Sequence, residues 1–329
     1  DRKQRSMAYY ESFMPDLAPA AVLHQFDLNK PDKLRRHLIR TKTTLVIDVS
    51  WADTVRMLEC CNELGVLYIN TALENEAVDD NEELEGFTLL ERYRIFERHR
   101  SRFANTKAVV CSGMNPGVVQ WMAHELIARH PGEQPLACYI VERDSSLYRD
   151  RSLLRDRTIY STWSPECFLD EAIANYPMFV SRHTPLILYH DVYELEFRVR
   201  LGDDAFYGCL MPHEEVLTLG QAFDMETGFI YRVSDFMTET IRARLDNPAE
   251  LWSWNHETLD PANGEMEGSD KVGVLLVYAD KERYMYNEMR TADVFPRYRT
   301  NATYFQVACG LYGGLCSLLL DAIPKGIYY

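Results

Sequence analysis

The strongest constraint on the fold is the alternation of strand-like and helix-like segments in the first third of the chain. The strand-like segments are short apolar or β-branched runs, typical of strands buried on both faces, and they lie at 44–49, 66–70 and 108–111. Segments with apolar residues at helical spacing separate them. This β-α-β-α-β order predicts a parallel sheet covered by helices.

Individual residues predict where these helices begin and end. The helix after the first strand can be capped by Asp53 or Ser50, and Gly65 can end it in a left-handed conformation. A charged helix follows over about 83–103. Its basic run, 92–102, is interleaved with glutamates at helical spacing, which indicates a solvated face without a partner.

The segment 113–117 leads from the third strand into another helix. Asn115 suits the N-cap and Pro116 suits the first helical turn, so the pair is a good helix start. A helix N-terminus that follows a parallel strand also offers free N–H groups to a ligand. Both interpretations stay open on these residues alone.

The second half of the chain has a different pattern. Apolar and charged residues alternate over 193–201, and the runs 272–278 and 284–289 flank a turn-like segment. These patterns predict a mostly antiparallel sheet. We therefore expect a parallel-sheet domain, an α+β domain and a C-terminal helix that returns to the first domain, with the ranges 1–120, 121–302 and 303–329.

Composition excludes several classes of function. A formal net charge of -15 opposes binding to nucleic acid. The apolar run 311–323 is interrupted and shorter than the roughly 20 residues that a membrane span needs. The opening residues 1–5 show no signal peptide, so we expect a cytoplasmic protein. The eight cysteines form no C-x-x-C pair and the histidines no zinc pattern, so we expect reduced thiols and no metal.

Three short polar and aromatic stretches are hard to explain by folding alone. They are 141–144, 161–164 with Glu171 further on, and 212–215. Each also has a plain structural interpretation: a surface turn, a core tryptophan and a loop histidine. Their occurrence together indicates a functional site.

These stretches resemble, in order, motifs of bacterial homospermidine synthases within the saccharopine-dehydrogenase-like group. The segment 111–121 is similar to the family's Gly-Ala-Asn-Pro-Gly-x-Val-x-x-Phe, and 142–144 is similar to its Glu-Arg-Asp. The residues from Thr162 to Glu171 resemble Thr-Trp-Ser-x-x-x-Phe-x-x-Glu, and 207–213 resembles Tyr-Gly-x-Leu-x-x-His. The likeness extends collinearly over about 44–322.

The resemblance implies an NAD-dependent reaction in which putrescine is oxidised, ammonia is lost, a second amine condenses and the new imine is reduced to homospermidine. Trp163 would hold the cationic intermediate over its indole. Glu142 and Glu171 would anchor amino groups, Asn115 would lie between nicotinamide and substrate, and His213 would shuttle a proton. Spermidine is a possible second amine, and a homodimer is implied.

Further residues are assigned by their positions alone. Glu74 falls where the family has a substrate-binding glutamate, and Asp48, Ser50 and Thr71 lie at strand ends that face the expected cofactor. The chain contains no G-x-G-x-x-G, so the resemblance implies an incomplete Rossmann-like domain, and we expect an N-terminal truncation. The family's Glu-Pro-Trp is replaced at 74–76, so the substrate can differ.

Two alternatives remain open on the sequence. One is another imine reductase of the saccharopine or carboxyspermidine dehydrogenase type, whose substrate carboxylate Arg143 or Arg182 would bind. The other is a non-catalytic relative that keeps the fold.

Overall fold

A computed structural model describes residues 5–329. The absence of a signal peptide was inferred from residues 1–5, and 1–4 lie outside the described part. The helices are α1 Met7–Phe13, α2 Pro31–Thr41, α3 Thr54–Leu64, α4 Glu76–Asp79, α5 Thr88–Arg100, α6 Val118–Ala128, α7 Pro165–Ile173, α8 Glu214–Ala222, α9 Asp235–Arg242, α10 Thr291–Tyr298 and α11 Ala302–Leu320.

The strands form two main sheets. They are β1 Leu45–Asp48, β2 Leu67–Asn70, β3 Lys107–Val109, β4 Ala137–Asp144, β5 Leu147–Tyr148, β6 Thr158–Ser161, β7 Met178–Ser181, β8 Thr184–Ile187, β9 Phe197–Leu201, β10 Asp204–Met211, β11 Glu226–Arg232, β12 Asn255–Thr258, β13 Met266–Glu267, β14 Asp270–Val277, β15 Glu282–Met289 and β16 Gly326–Tyr328.

The first sheet is parallel and has the order β1-β2-β3-β16, as the alternating pattern predicts. Asp53 caps α3 by accepting a hydrogen bond from the Arg56 N–H, and Gly65 ends the helix at φ 67°, both as expected. β1 lies at an edge of the sheet, and its outer surface is apolar: Ile47 is 47% exposed and Val49 70%. This edge is therefore the least covered part of the parallel sheet.

The second sheet has the order β15-β14-β4-β11-β10-β9, with β7 and β8 attached to β11. Its pairs are antiparallel except for β4 with β11, which confirms the prediction of a mostly antiparallel sheet. β14 and β15 form the expected hairpin. The run 193–201 is only partly a strand, because Asp191 and Glu194 cap a short 3-10 helix at Val192–Glu194 before β9 begins.

The helix α11 packs against β2 and β3 of the parallel sheet. Gly310 and Gly314 permit this, because a Cβ at Gly310 would lie 1.9 Å from the carbonyl oxygen of Gly113. α11 has 19 residues and a mean hydropathy of 1.3, and it begins upstream of the apolar run 311–323. Among residues 5–329 it is the one helix long and apolar enough to cross a membrane by length and composition, criteria that core helices also meet.

Candidate active site

The site lies where the carboxyl ends of the parallel strands meet the second sheet. The Leu73 N–H donates to a Glu214 carboxylate oxygen at the start of α8, and the Cys111 N–H donates to the side-chain oxygen of Asn70 at the end of β2. Ser112 completes the junction by donating its N–H to the Asn70 carbonyl. Ligands of open α/β sheets bind at such strand ends.

Asn115 does not cap the following helix, contrary to the prediction. The helix α6 begins at Val118 with Gly117 as its N-cap, and the Val118 N–H donates to the Gly113 carbonyl. Residues 113–117 form a tight turn instead, which frees the Asn115 amide to donate to a carboxylate oxygen of Glu142. The Asn-Pro pair therefore serves the site rather than the helix.

Three buried carboxyl groups, the acid trio, lie together on one face of the second sheet: Glu142, Asp144 and Asp270. Alternate residues of β4 carry the first two on the same face, and Asp270 of β14 is paired with Asp144 in the register. They are 4%, 5% and 1% exposed. Burial raises the pKa of each carboxyl, and mutual repulsion adds to this for Glu142 and Asp270. The pKa of Asp270 is raised to about 8 by both effects together.

Hydroxyl and amide groups hold the acid trio in place. Thr162 donates its hydroxyl to Asp144 over 2.5 Å. Thr303 and Gln306 of α11 donate to the Oδ2 of Asp270 over 2.7 and 2.9 Å. The Oδ1 of Asp270 is buried without a hydrogen-bond partner. Glu142 forms a side-chain hydrogen bond with Asp270 when one of the two carboxyls holds a proton. Because an unpartnered buried oxygen costs free energy, the ionised pair marks a place for a donor.

A second group, the histidine cluster, consists of His213, Glu214 and Glu215 at the start of α8 together with Glu171 of α7. The Nδ1 of His213 forms a short hydrogen bond with Glu215, and its Nε2 lies 3.6 Å from Glu171. Burial lowers the pKa of His213, but Glu215 and Glu171 outweigh it and raise that pKa to about 10. The imidazole is therefore held as a cation.

The carboxylates of the histidine cluster are not all satisfied. Burial raises the pKa of Glu171 to about 8 against the lowering effect of His213. The Oε2 of Glu171 and the Oε1 of Glu215 are buried without hydrogen-bond partners. His213 also lowers the pKa of Glu142, so the histidine cluster and the acid trio share one electrostatic site.

Trp163 contacts residues that neighbour both groups of acids, namely Tyr231 of β11 and Phe168 of α7. It follows β6, and its indole N–H donates to the Tyr231 hydroxyl over 3.4 Å. The ring meets Phe168 edge to face, with the centroids 6.5 Å apart. Tyr231 is opposite Glu142 in the register of β11 and β4, and the acid trio contributes to raising its pKa after burial. The indole is thus held by Tyr231, the residue that pairs with Glu142 across the two strands.

Glu74 lies in the loop between β2 and α4. Burial raises its pKa to about 8, and Arg92 opposes this effect. Arg92 is not part of a solvated face, contrary to the prediction for the basic run. The Arg92 side chain is 15% exposed and donates to Asp79 over 2.7 Å and to Asp170 over 2.8 Å. The turn of α5 that carries Arg92 therefore faces α4 and α7.

Most of the residues that were predicted to face a cofactor form hydrogen bonds within the turn at the end of β1. Ser50 donates both its N–H and its hydroxyl to one oxygen of Asp48, and Tyr68 donates its hydroxyl to the other. Burial raises the pKa of Asp48. Thr71 follows the end of β2 and is partly exposed. Asp48 and Ser50 thus form the turn at the end of β1.

Several site residues were missed or left unassigned in the sequence analysis. They are Asp144, Asp270, Glu214, Glu215 and Tyr231. A signal for Asp144 was its spacing of two from Glu142 on a strand. Asp270 gives a weaker signal, an acid that opens an otherwise apolar strand, and only the pairing of β14 with β4 brings it to the site.

Within residues 5–329 one group has side chains close enough to hold a metal ion, namely His213, Glu214 and Glu215, whose potential ligand atoms lie within 4.8 Å of one another. The short bond from His213 to Glu215 satisfies the imidazole as an ion pair. A cavity of about 440 Å³ lies elsewhere, between α5, α6 and α8, and none of the predicted site residues lines it.

The fold is that of the saccharopine dehydrogenase-like proteins. Saccharopine dehydrogenase (L-Glu-forming) of Saccharomyces cerevisiae superposes with a TM-score of 0.57 over 98% of this chain and 86% of its own, at 10% identity. The homospermidine synthase of Legionella pneumophila, solved in complex with NAD, superposes with a TM-score of 0.71 over 93% of this chain and 74% of its own, at 16% identity.

Sequence comparison points to the same relatives. The homospermidine synthase of Mesorhizobium japonicum is 23% identical over an alignment of 334 residues that covers 82% of this chain. The alignment covers 66% of that protein, so the chain spans just under two thirds of the length of the relative it matches. No family model matches the chain. The resemblance to homospermidine synthases is thereby confirmed.

Proposed function

We propose that this chain is the amine-binding and reacting part of a homospermidine synthase-type enzyme. The observation that carries the proposal is the set of buried carboxylate oxygens without partners, on Glu171, Glu215 and Asp270, around a fixed indole. An ammonium has three N–H donors and no acceptor, so it satisfies such oxygens without a competing charge. Putrescine carries one ammonium at each end, and the histidine cluster and the acid trio offer two cation sites.

The arrangement also supplies the proton that the reaction requires. When the second amine adds to the imine of oxidised putrescine, the adduct carries two nitrogens on one carbon. Ammonia leaves this adduct only after the departing nitrogen has gained a proton. His213 is held as an imidazolium chiefly by Glu215, and Glu171 adds to this once it is ionised, which suits His213 to donate that proton and recover it from the incoming ammonium. In this proposal the cationic imine lies over Trp163, whose indole face attracts a cation.

NAD would accept the hydride from putrescine and return it to the new imine. The residues of this chain fit the nicotinamide end, because Asn115 connects the turn after β3 to Glu142 of the acid trio. Asp48, Ser50 and Thr71 are proposed for the remaining contacts at the strand ends. The glycine-rich turn that holds a dinucleotide pyrophosphate is not among these residues.

The charges disfavour an imine reductase that binds a carboxylated substrate. Such a substrate needs a cation in the pocket. Arg143 lies between Glu142 and Asp144 on β4, so its side chain points to the opposite face of the sheet, where it meets Asp204. Arg182 lies in the turn between β7 and β8. Neither arginine joins the acid trio.

The test is to incubate the protein with NAD and putrescine, without added NADH, and to measure homospermidine and ammonia. The proposal expects both products in equal amounts, because the hydride is returned within one cycle. A strict requirement for added NAD(P)H would favour the imine reductase. Binding of putrescine without turnover would favour the non-catalytic relative. A cytoplasmic location, the homodimer and the domain limits at 120 and 302 remain predictions.

A further inference from the structure

Arg92 joins two segments that carry site residues but belong to different parts of the fold. Its Nε donates to Asp79, the last residue of α4, and its Nη1 donates to Asp170 of α7. Glu74 precedes α4, and Glu171 follows Asp170 in the chain. Successive helix residues differ in direction by about 100°, so α7 presents Asp170 to Arg92 and Glu171 to His213.

The connection between α5 and α7 does not depend on Arg92 alone. The Asn175 amide donates to the Thr88 hydroxyl over 2.8 Å, and its oxygen accepts from the Leu89 N–H over 3.1 Å. The Gly86 N–H donates to the Ala174 carbonyl over 2.8 Å. A substitution at Arg92 therefore leaves α5 attached to the end of α7. It removes the one cation that pairs with both aspartates among residues 5–329.

We propose that Arg92 is a positioning residue for the amine pocket, the site formed by Glu74, the histidine cluster and the acid trio. It joins the segments that carry Glu74 and Glu171, and it neutralises the two aspartates behind them. Without this guanidinium, Asp79 and Asp170 would attract the substrate's ammonium away from the reacting position. They would also raise the pKa values of Glu74 and Glu171, so that these carboxyls keep their protons to a higher pH. This inference rests on the proposed function, because it assigns Arg92 a role in amine binding.

The charges around the pocket support an electrostatic role. The charged groups that act on Glu74 or Glu171 are Arg92, Asp79, Asp170, His213, Glu214 and Glu215. Arg92 lowers the pKa of Glu74, whereas Asp79 and Asp170 raise it. Asp170 also raises the pKa of Glu171. Arg92 is therefore the cation that lowers the pKa of Glu74 and so favours its ionised form.

The experiment measures putrescine binding by calorimetry between pH 6 and 9.5 for the wild type, Arg92→Gln, Arg92→Lys and Asp79→Asn. Arg92→Gln should raise the midpoint of the binding profile by about one pH unit, as expected for loss of a neighbouring opposite charge. Binding at pH 7 should weaken about tenfold. Arg92→Lys should have a midpoint close to that of the wild type. Asp79→Asn should lower the midpoint below the wild-type value.

Arg94→Gln is the matched control, because Arg94 lies on the same helix, is exposed and pairs only with Glu91 among the ion pairs described for residues 5–329. It should leave the profile unchanged. A merely structural role would lower the melting temperature of Arg92→Gln and of Asp79→Asn without moving their midpoints in opposite directions. Unchanged or parallel shifts would overturn the proposal.

A second readout separates this inference from the proposed function. Carbon-13 NMR of labelled glutamate follows the carboxyl titrations of Glu74 and Glu171 without any amine. If the wild type binds no putrescine, the proposed function fails, and the titrations alone decide whether Arg92 controls these carboxyls. An Arg92→Gln spectrum with wild-type midpoints would then refute the role of Arg92.

Discussion

The polar residues at the end of β1 and those of the amine pocket differ in what their oxygens bind. At the end of β1, Asp48 accepts hydrogen bonds on both oxygens from Ser50 and Tyr68. In the pocket, Glu171 and Asp270 each keep a buried oxygen without a partner. Satisfied polar groups stabilise a turn, whereas unsatisfied ones store a cost that a ligand can relieve. The difference separates carboxylates whose oxygens the fold already satisfies from carboxylates with an oxygen open to an ammonium.

The largest expected effect is that of Glu171→Gln on amine binding. The substitution removes a buried charge opposite an ammonium, which should weaken putrescine binding by about 3 kcal/mol, or roughly 100-fold. Calorimetric titration at pH 8 would measure it. The control is Glu166→Gln in the first turn of the same helix, which should bind as the wild type does. Equal affinities of the two variants would show that the pocket carboxylate is structural.

The pH dependence of binding sharpens the same comparison. Because the pKa values of Glu74, Glu171 and Asp270 are raised to about 8, these carboxyls hold protons below that pH. An ammonium binds the ionised forms, so it must displace protons at neutral pH. The affinity for putrescine should therefore increase between about pH 6.5 and 8.5. For each proton that binding releases, the increase should be about tenfold per pH unit.

Putrescine titrations in buffers of different ionisation enthalpy would count the released protons. The profile should flatten in Glu171→Gln, which has no proton to lose at that position. Constant affinity across this range would mean that the carboxyls are already ionised without the amine.

Trp163→Phe should have a smaller effect. Phenylalanine keeps an aromatic face but attracts a cation less strongly than indole, and it loses the bond to Tyr231. A loss of about 1 kcal/mol, or roughly fivefold, is expected in turnover, with putrescine affinity nearly unchanged. Steady-state kinetics would separate the two. Trp252→Phe, at a ring that is 42% exposed, is the control, and an unaltered rate for Trp163→Phe would contradict the role of the indole.

The smallest effect on binding is expected for Asp48→Asn. This change weakens the turn after β1 and should cost about 1 kcal/mol of the free energy of unfolding, because the bonds from Ser50 and Tyr68 lose a charged acceptor. Urea denaturation would measure the loss. Putrescine affinity should stay within twofold of the wild type. A marked loss of affinity would place the end of β1 in the amine pocket and break the comparison.

The sequence predicted the elements whose signals are local. The β-branched runs of β1 and β2, the capping by Asp53 and the left-handed Gly65 all depend on nearby residues. The sequence could not decide between a helix cap and a site residue for Asn115, because its partner is Glu142, on a strand that begins 22 residues later. Propensity alone cannot weigh such a distant hydrogen bond against a helix cap.

The candidate site was predicted in part for the same reason. Glu142, Trp163, Glu171 and His213 lie in motifs that stand out from their surroundings. Arg92 appeared as one member of a surface run, since its partners come from two other helices. Which face of an amphipathic helix is buried depends on packing between elements far apart in the chain.

The alternation of Glu142, Arg143 and Asp144 along β4 makes the charge of the pocket depend on strand register. Neighbouring residues of a strand face opposite sides. A single-codon insertion early in β4 that the strand absorbed by slipping one position would turn Arg143 inwards and both acids outwards. Under the proposed function, one such frame-preserving mutation would replace two acids of the amine site by an arginine, and the preferred ligand would change from a diamine towards a carboxylate.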